Sequence, residues 1–82
     1  MRYRVEITPR AQKDLDALPT RDRDNIARRL FALKDGLAGD IKRLRRTFPD
    51  YRLRVGDYRA LFAIEAASIV VYRVHNRRDA YR

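Results

Sequence analysis

Eighty-two residues, 45% of them apolar and 38% charged, suit a single small domain spanning 1–82 with room for one hydrophobic core. The absence of cysteine excludes disulfides, thiolate zinc sites and thiol nucleophiles, and a single histidine, His75, is too few for a histidine-built metal site. Neither a metal nor another cofactor is therefore expected. The formal net charge of +9 favours partners that are polyanions, and it is unevenly placed: residues 1–41 carry 9 basic and 7 acidic side chains, residues 42–82 carry 11 and 4.

Arginine outnumbers lysine 17 to 3, a bias toward the planar fork of donors that grips phosphate. No apolar run approaches the roughly 18 residues needed to cross a bilayer. The N-terminus alternates like a strand and has no signal-peptide core, so the expected compartment is the cytoplasm, without a membrane partner.

In chain order, Tyr3, Val5 and Ile7 alternate with Arg2, Arg4 and Glu6, as in a half-buried strand. Thr8-Pro9 reads as an N-cap followed by proline at the first helical position. A short helix is predicted to about Leu18, with Ala11, Leu15 and Leu18 facing the sheet. Pro19 breaks it, and Thr20 is a candidate cap for a longer second helix. There Ile26, Leu30, Leu33 and Leu37 recur at core-packing steps. Asp22 and Asp24 suit the positive end of its dipole, and Gly36 and Gly39 mark its fraying end. Residues 40–50 read as a basic connector, either a solvated surface or an extension of the charge that follows.

Residues 51–64 form the most informative stretch. Tyr51-Arg52-Leu53-Arg54-Val55 and Tyr58-Arg59-Ala60-Leu61-Phe62 alternate around Gly56-Asp57, the pattern of a tight hairpin. A two-residue loop predicts that Val55 faces Tyr58, Arg54 faces Arg59, Leu53 faces Ala60 and Arg52 faces Leu61. One face then carries Tyr51, Leu53, Val55, Tyr58, Ala60, Phe62 and Ile64, and the other Arg52, Arg54 and Arg59. Directly opposed like charges oppose pairing by roughly 0.2–1 kcal/mol. The arginine face is thus either a solvated, aggregation-resisting surface or a phosphate site. Ala66-Ala67 is a weak turn before a central strand over 68–75, and the polar, basic end runs through Arg77, Arg78 and Tyr81. The sum is an α+β domain: an N-terminal strand and two helices on one face of a largely antiparallel four-stranded sheet, with the arginine face uncovered.

Three segments carry a resemblance: Ile7-Thr8-Pro9-Arg10-Ala11-Gln12-Lys13-Asp14-Leu15, Tyr51-Arg52-Leu53-Arg54-Val55-Gly56-Asp57-Tyr58-Arg59, and Asn76-Arg77-Arg78-Asp79-Ala80-Tyr81. Together they resemble the RelE/ParE superfamily of type II toxin–antitoxin toxins, and within it the RelE-like mRNA interferases. The resemblance implies a microbial-ribonuclease-like fold and a ribosome-dependent endoribonuclease that cuts mRNA in the ribosomal A site and inhibits translation. It implies metal-independent transfer of the phosphodiester to the 2′-hydroxyl. Carried over residue by residue, it places Arg54, Arg59, Arg77 and Tyr81 in catalysis, with Arg52, Arg45, Arg46 and Arg78 on the RNA. Arg59 and Arg77 would stabilise the phosphorane, and Tyr81 would stack on a base or assist proton transfer.

The implied partners are the ribosome, mRNA and a RelB-like antitoxin with an amphipathic helix and acidic residues; operator DNA is met only through the antitoxin complex. Relatives that carry lysine in the hairpin have a side chain able to lose a proton, which Arg54 cannot, so the general base is open. Glu65, beside a turn, does not match the glutamate base of other relatives. His75, one position short of the basic residue many relatives carry, would point to the opposite face in a regular strand. The alternative activity is that of a ParE-like inhibitor of DNA gyrase without ribonuclease activity. A nucleic-acid-binding module without catalysis, or a catalytically decayed relative, would also carry the charge.

Overall fold

The computed structural model describes residues 2–78. Strand β1 (Arg4–Ile7) leads through Thr8 into α1 (Pro9–Asp16), whose first turn is closed by the Thr8 hydroxyl accepting from the Ala11 amide at 3.1 Å, with Pro9 where no amide donor is needed. Helix α2 spans Thr20–Ala32. Its cap position is taken by Pro19 and has no side-chain hydrogen bond, so Thr20 is the first helical residue and not the cap. The helix gives way to a 3-10 turn at Leu33–Asp35, and Leu37 lies beyond it, exposed and outside the core that its spacing suggested.

Among the described residues the sheet has five strands, one more than the sequence pattern shows. Besides β3 (Tyr51–Val55), β4 (Tyr58–Glu65) and β5 (Ser68–Asn76), residues Asp40–Arg43 of the expected connector form β2. Strand order is β1-β5-β4-β3-β2, antiparallel except for the parallel β1–β5 pair. The hairpin register matches the expected one: Val55 with Tyr58, Arg54 with Arg59, Leu53 with Ala60 and Arg52 with Leu61. Gly56 has φ +59° and Asp57 is not in that region, as a turn with glycine leading requires.

Both helices cover one face. Ala11 and Leu15 of α1, Ile26 and Leu30 of α2, and Leu33 bury against Leu53, Val55, Ala60, Phe62, Ile69, Val71 and Val74. Each such large side chain contributes about 1.5–3 kcal/mol by leaving water. Tyr51 stacks on Phe62 at 5.3 Å on the same face. Among the described residues no helix is long and apolar enough to cross a membrane.

One irregularity changes what lies on the other face. Phe62 pairs with Val71, but Ala60, two residues back, pairs with Val74, three residues on. The extra residue in β5 is a bulge, and beyond it every side chain changes face. Without it, the alternation that buries Ile69 and Val71 would carry His75 under the helices. With it, Val74 is buried and His75 stands opposite Arg59. The bulge is held by α1: Asp14 Oδ2 accepts from the Val74 amide and from Arg73 Nε, each at 2.9 Å. Strand β1 ends at Ile7 opposite Val71, so Asp14 closes the stretch of β5 edge that β1 no longer reaches.

Candidate nucleic-acid interface

The face without helices is built by the hairpin and the end of β5. Arg54, Arg59 and His75 form one cross-strand row, and Arg52 and Leu61 form the next. The row is not uniformly solvated, as three free arginines would be. Arg59 is only 7% exposed, and its Nη1 donates to the carbonyls of Gly56 at 3.1 Å and Tyr58 at 3.0 Å. Its guanidinium thereby ties the turn and is held in one orientation. Arg54 is exposed, with Nη1 3.9 Å from Asp40 Oδ2 on β2. That ion pair needs β2, which sequence pattern alone does not reveal.

Among the described residues, three buried side-chain nitrogens have no hydrogen-bond partner: Arg52 Nε, Arg59 Nε and His75 Nδ1. All three belong to these two rows. The guanidinium groups supply fixed positive charge and donors for phosphate oxygens. The imidazole supplies what a guanidinium cannot, a nitrogen able to give up or take a proton.

The loop 44–49 covers part of this face. Leu44, Thr47, Phe48 and Pro49 meet Arg52, Leu61 and His75 around a pocket of about 240 Å³. Phe48 packs edge-on to Tyr72 at 5.1 Å, and the Tyr72 hydroxyl donates to Glu65. Glu65 is thus engaged at the end of β4, away from the arginine row, and it raises the Tyr72 pKa chiefly through that hydrogen bond. On the helix side, the Tyr58 hydroxyl donates to Asp22 at 3.2 Å; burial and then the Asp22 charge raise its pKa.

The remaining expected residues are placed as follows. The Arg77 amide donates to the Asp57 carbonyl at 2.7 Å and its Nε lies 4.0 Å from Asp57 Oδ1, which fixes Arg77 at the hairpin end next to Arg59. The Arg78 amide donates to Asn76 Oδ1 at 3.1 Å, and Arg78 lines a small cleft with Asp57, Asn76 and Arg77. Arg45 and Arg46 line a different cleft with Arg43, Leu44, Thr47 and Asp50. The structure therefore gathers Arg52, Arg54, Arg59 and Arg77 at one end of the sheet and leaves Arg45 and Arg46 at its flank. Tyr81 lies outside the described residues. His75 joins the arginine row although its place in a regular strand points the other way, and no sequence signal announces the bulge that puts it there.

The comparisons with known proteins agree with this architecture. Residues 5–81 match the family model described as the ParE toxin of the type II toxin-antitoxin system, parDE. The chain is 30% identical over 88 aligned residues to a Methanocaldococcus jannaschii protein that carries the name toxin RelE1, covering 100% of this chain and 98% of that one. A chain of the toxin–antitoxin complex RelBE2 from Mycobacterium tuberculosis superposes with a TM-score of 0.81 at 30% identity, covering 94% of this chain and 100% of that one. The RelB–RelE antitoxin–toxin complex from Methanococcus jannaschii gives 0.78 at 26%, over 93% and 94% of the two chains. A family match over nearly the whole length, on a fold shared with RelE proteins, places this chain in the RelE/ParE family of type II toxin–antitoxin toxins.

Proposed function

We propose that this toxin is a ribosome-dependent endoribonuclease that cuts mRNA in the ribosomal A site and thereby stops translation. The observation that carries the reading is the cross-strand row of Arg54, Arg59 and His75, with Arg52 in the next row, gathered on the face opposite the helices. In the reaction the 2′-oxygen attacks the neighbouring phosphorus and the bond to the leaving 5′-oxygen breaks. A proton is lost from the 2′-hydroxyl and one is gained by the 5′-oxygen.

Arg59, immobilised by two carbonyls, and Arg77, at the hairpin end, suit the stabilisation of charge on the phosphorane, the largest single contribution to most such steps. Arg52 and Arg54 hold the flanking backbone, with Arg45, Arg46 and Arg78 adding contacts along the strand. Arg54 joins Arg59 in the catalytic row as a fixed charge and not as a base. His75 is the residue in that row that can exchange a proton, and Tyr81 completes the set by stacking or proton transfer.

The proposed inhibitor is a RelB-like antitoxin that lays an amphipathic helix on apolar surface and sets acidic residues against the arginines. Three of the solved relatives are RelB–RelE complexes. The notch between Val5, Ile7, Ala27, Leu30 and the exposed Phe31 offers such a surface here. Contact with operator DNA would come only through that complex.

The test is induction of the wild type beside Arg59→Ala with Arg77→Ala, mapping mRNA ends within minutes. Growth arrest with new cuts in translated regions, both lost in the double variant, is the expected outcome. Arrest without cuts, equally strong in the double variant, overturns it. That result would select the second reading, a ParE-like gyrase inhibitor, which the description of the matching family favours and which trapped gyrase–DNA complexes would report.

A further inference from the structure

Past Val71, the outer edge of β5 is served by a helix and not by a strand. Strand β1 pairs as far as Ile7 with Val71, and the Thr8 amide then donates to the Val71 carbonyl at 3.1 Å. The Thr8 hydroxyl, which caps α1, also reaches the Tyr72 carbonyl at 3.5 Å. Further along the same helix, Asp14 Oδ2 takes the Val74 amide and Arg73 Nε, while its Oδ1 lies 3.9 Å from Arg10 Nε. The Asp14 side chain is only 15% exposed, so water is a poor substitute for it. The bulge is thus clasped on both sides by α1.

The register shows what this clasp decides. Continuing the Phe62–Val71 pairing without an extra residue would put Val74 opposite Arg59 and His75 opposite Tyr58. The bulge moves each residue on by one place, which brings His75 to Arg59. His75 is sensitive to such a shift because it borders both sides of the sheet. It lines the groove toward α1 with Lys13, Asp14 and Tyr58, and it lines the pocket on the uncovered face with Arg52 and Leu61.

We infer that Asp14 is a positioning residue for the uncovered face: from the helix side it fixes the bulge, and through the bulge it holds His75 beside Arg59. Asp14 lies in the groove on the α1 side, so it acts on a bound RNA only through His75. The inference rests on the RNA-cleaving reading for the proton that His75 exchanges, but the placement of His75 can be measured without RNA. Burial of Val74 favours the bulge as well, so loss of the carboxylate loosens the strand end and does not reverse it.

His75 is the only histidine in the chain, so its ring protons give signals that NMR can assign directly. The first measurement is the nuclear Overhauser contact between the His75 ring and the Leu61 side chain in the free, full-length protein. Wild type should show it, Asp14→Ala should lose most of it, and Asp14→Asn, which keeps an acceptor for the Val74 amide, should restore it. Ile26→Val, a core change on the other helix, should keep the contact and so separates placement from lost stability. A contact that persists in folded Asp14→Ala overturns the inference.

The second measurement is single-turnover cutting of mRNA on purified ribosomes. Asp14→Ala should slow it by roughly 10–10²-fold, the scale of a misplaced group near the reaction, and Asp14→Asn should recover most of the rate. In a His75→Ala background, Asp14→Ala should cost nothing further, because both changes act through one ring. Losses that multiply, or full activity in Asp14→Ala, overturn the inference and leave the ribonuclease reading standing. If the wild type cuts nothing, the ribonuclease reading falls, and the ring contact alone decides whether Asp14 places His75.

Discussion

Removing the Asp14 carboxylate tests whether α1 holds the bulge that sets the face of His75. Asp14 accepts from the Val74 amide and from Arg73 Nε, both at 2.9 Å. In Asp14→Ala the partly buried amide loses its partner on an edge that β1 has already left, which costs about 1–2 kcal/mol toward the lower end for a buried unpaired donor. The Arg73 pair is 41% exposed on the arginine side, so water replaces most of it and its loss adds less than about 1 kcal/mol. Together these give about 2 kcal/mol, or a melting temperature lower by roughly 10 °C for a domain of this size. Asp14→Asn keeps one acceptor oxygen and should lose about half as much. Urea denaturation is the assay, read as a lower midpoint at constant slope. If Asp14→Ala lies within about 0.5 kcal/mol of wild type, the size expected of a surface change, the carboxylate does not hold the bulge.

Arg59→Ala should lower cleavage by roughly 10²–10³, the loss typical of one preorganised charge-stabilising donor; Arg59→Lys should not recover it, because an ammonium cannot span the Gly56 and Tyr58 carbonyls, and single-turnover cutting on purified ribosomes decides this. Arg54→Ala should weaken RNA binding similarly for all sequences and reduce the slope of log affinity against log salt by about 1; an unchanged slope would remove Arg54 from the backbone contacts. Gly56→Ala meets no atom within 4 Å, so its cost should be the left-handed backbone alone, about 1–2 kcal/mol, visible as a shifted urea midpoint. The Tyr58 pKa is raised above its ordinary value of 10.0 by burial and then by Asp22. Its protonated form is therefore favoured by folding, so that contribution is intact below about pH 10 and fades as pH rises through the folded value. Tyr58→Phe should flatten the alkaline loss of stability, and parallel alkaline limbs in the two proteins would contradict the sign.

What could be read beforehand depended on whether pattern and period coincide. Gly56-Asp57 stands between two alternating runs, so the turn and every cross-strand partner of the hairpin follow from it. Thr8-Pro9 similarly announces the start of α1. Strand β2 was hidden because Asp40-Ile41-Lys42-Arg43 has one apolar residue in four; an edge strand buries little and can be almost wholly charged. Pattern separated the arginines from the apolar face but could not show that Arg59 is buried, since that depends on the carbonyls of its own turn. His75 was misplaced for a stricter reason. A single extra residue reverses the phase of a strand, and nothing in the residues around Val71–Val74 marks where it enters.

The sheet's acidic residues also bear on how the toxin meets its target. Asp40 lies 3.9 Å from Arg54, Asp57 4.0 Å from Arg77 and Asp50 3.5 Å from Arg43. Exposed pairs at such separations are worth about 0–1 kcal/mol each, too little to commit the arginines. They act as resident counterions. If the proposed RNA docks there, it exchanges with carboxylates already in place and not only with ions from solution, so affinity should depend on salt less steeply than the formal charge implies. On the RNA-cleaving reading the same carboxylates would temper attraction to bulk nucleic acid, reserving tight binding for a strand that engages several arginines together.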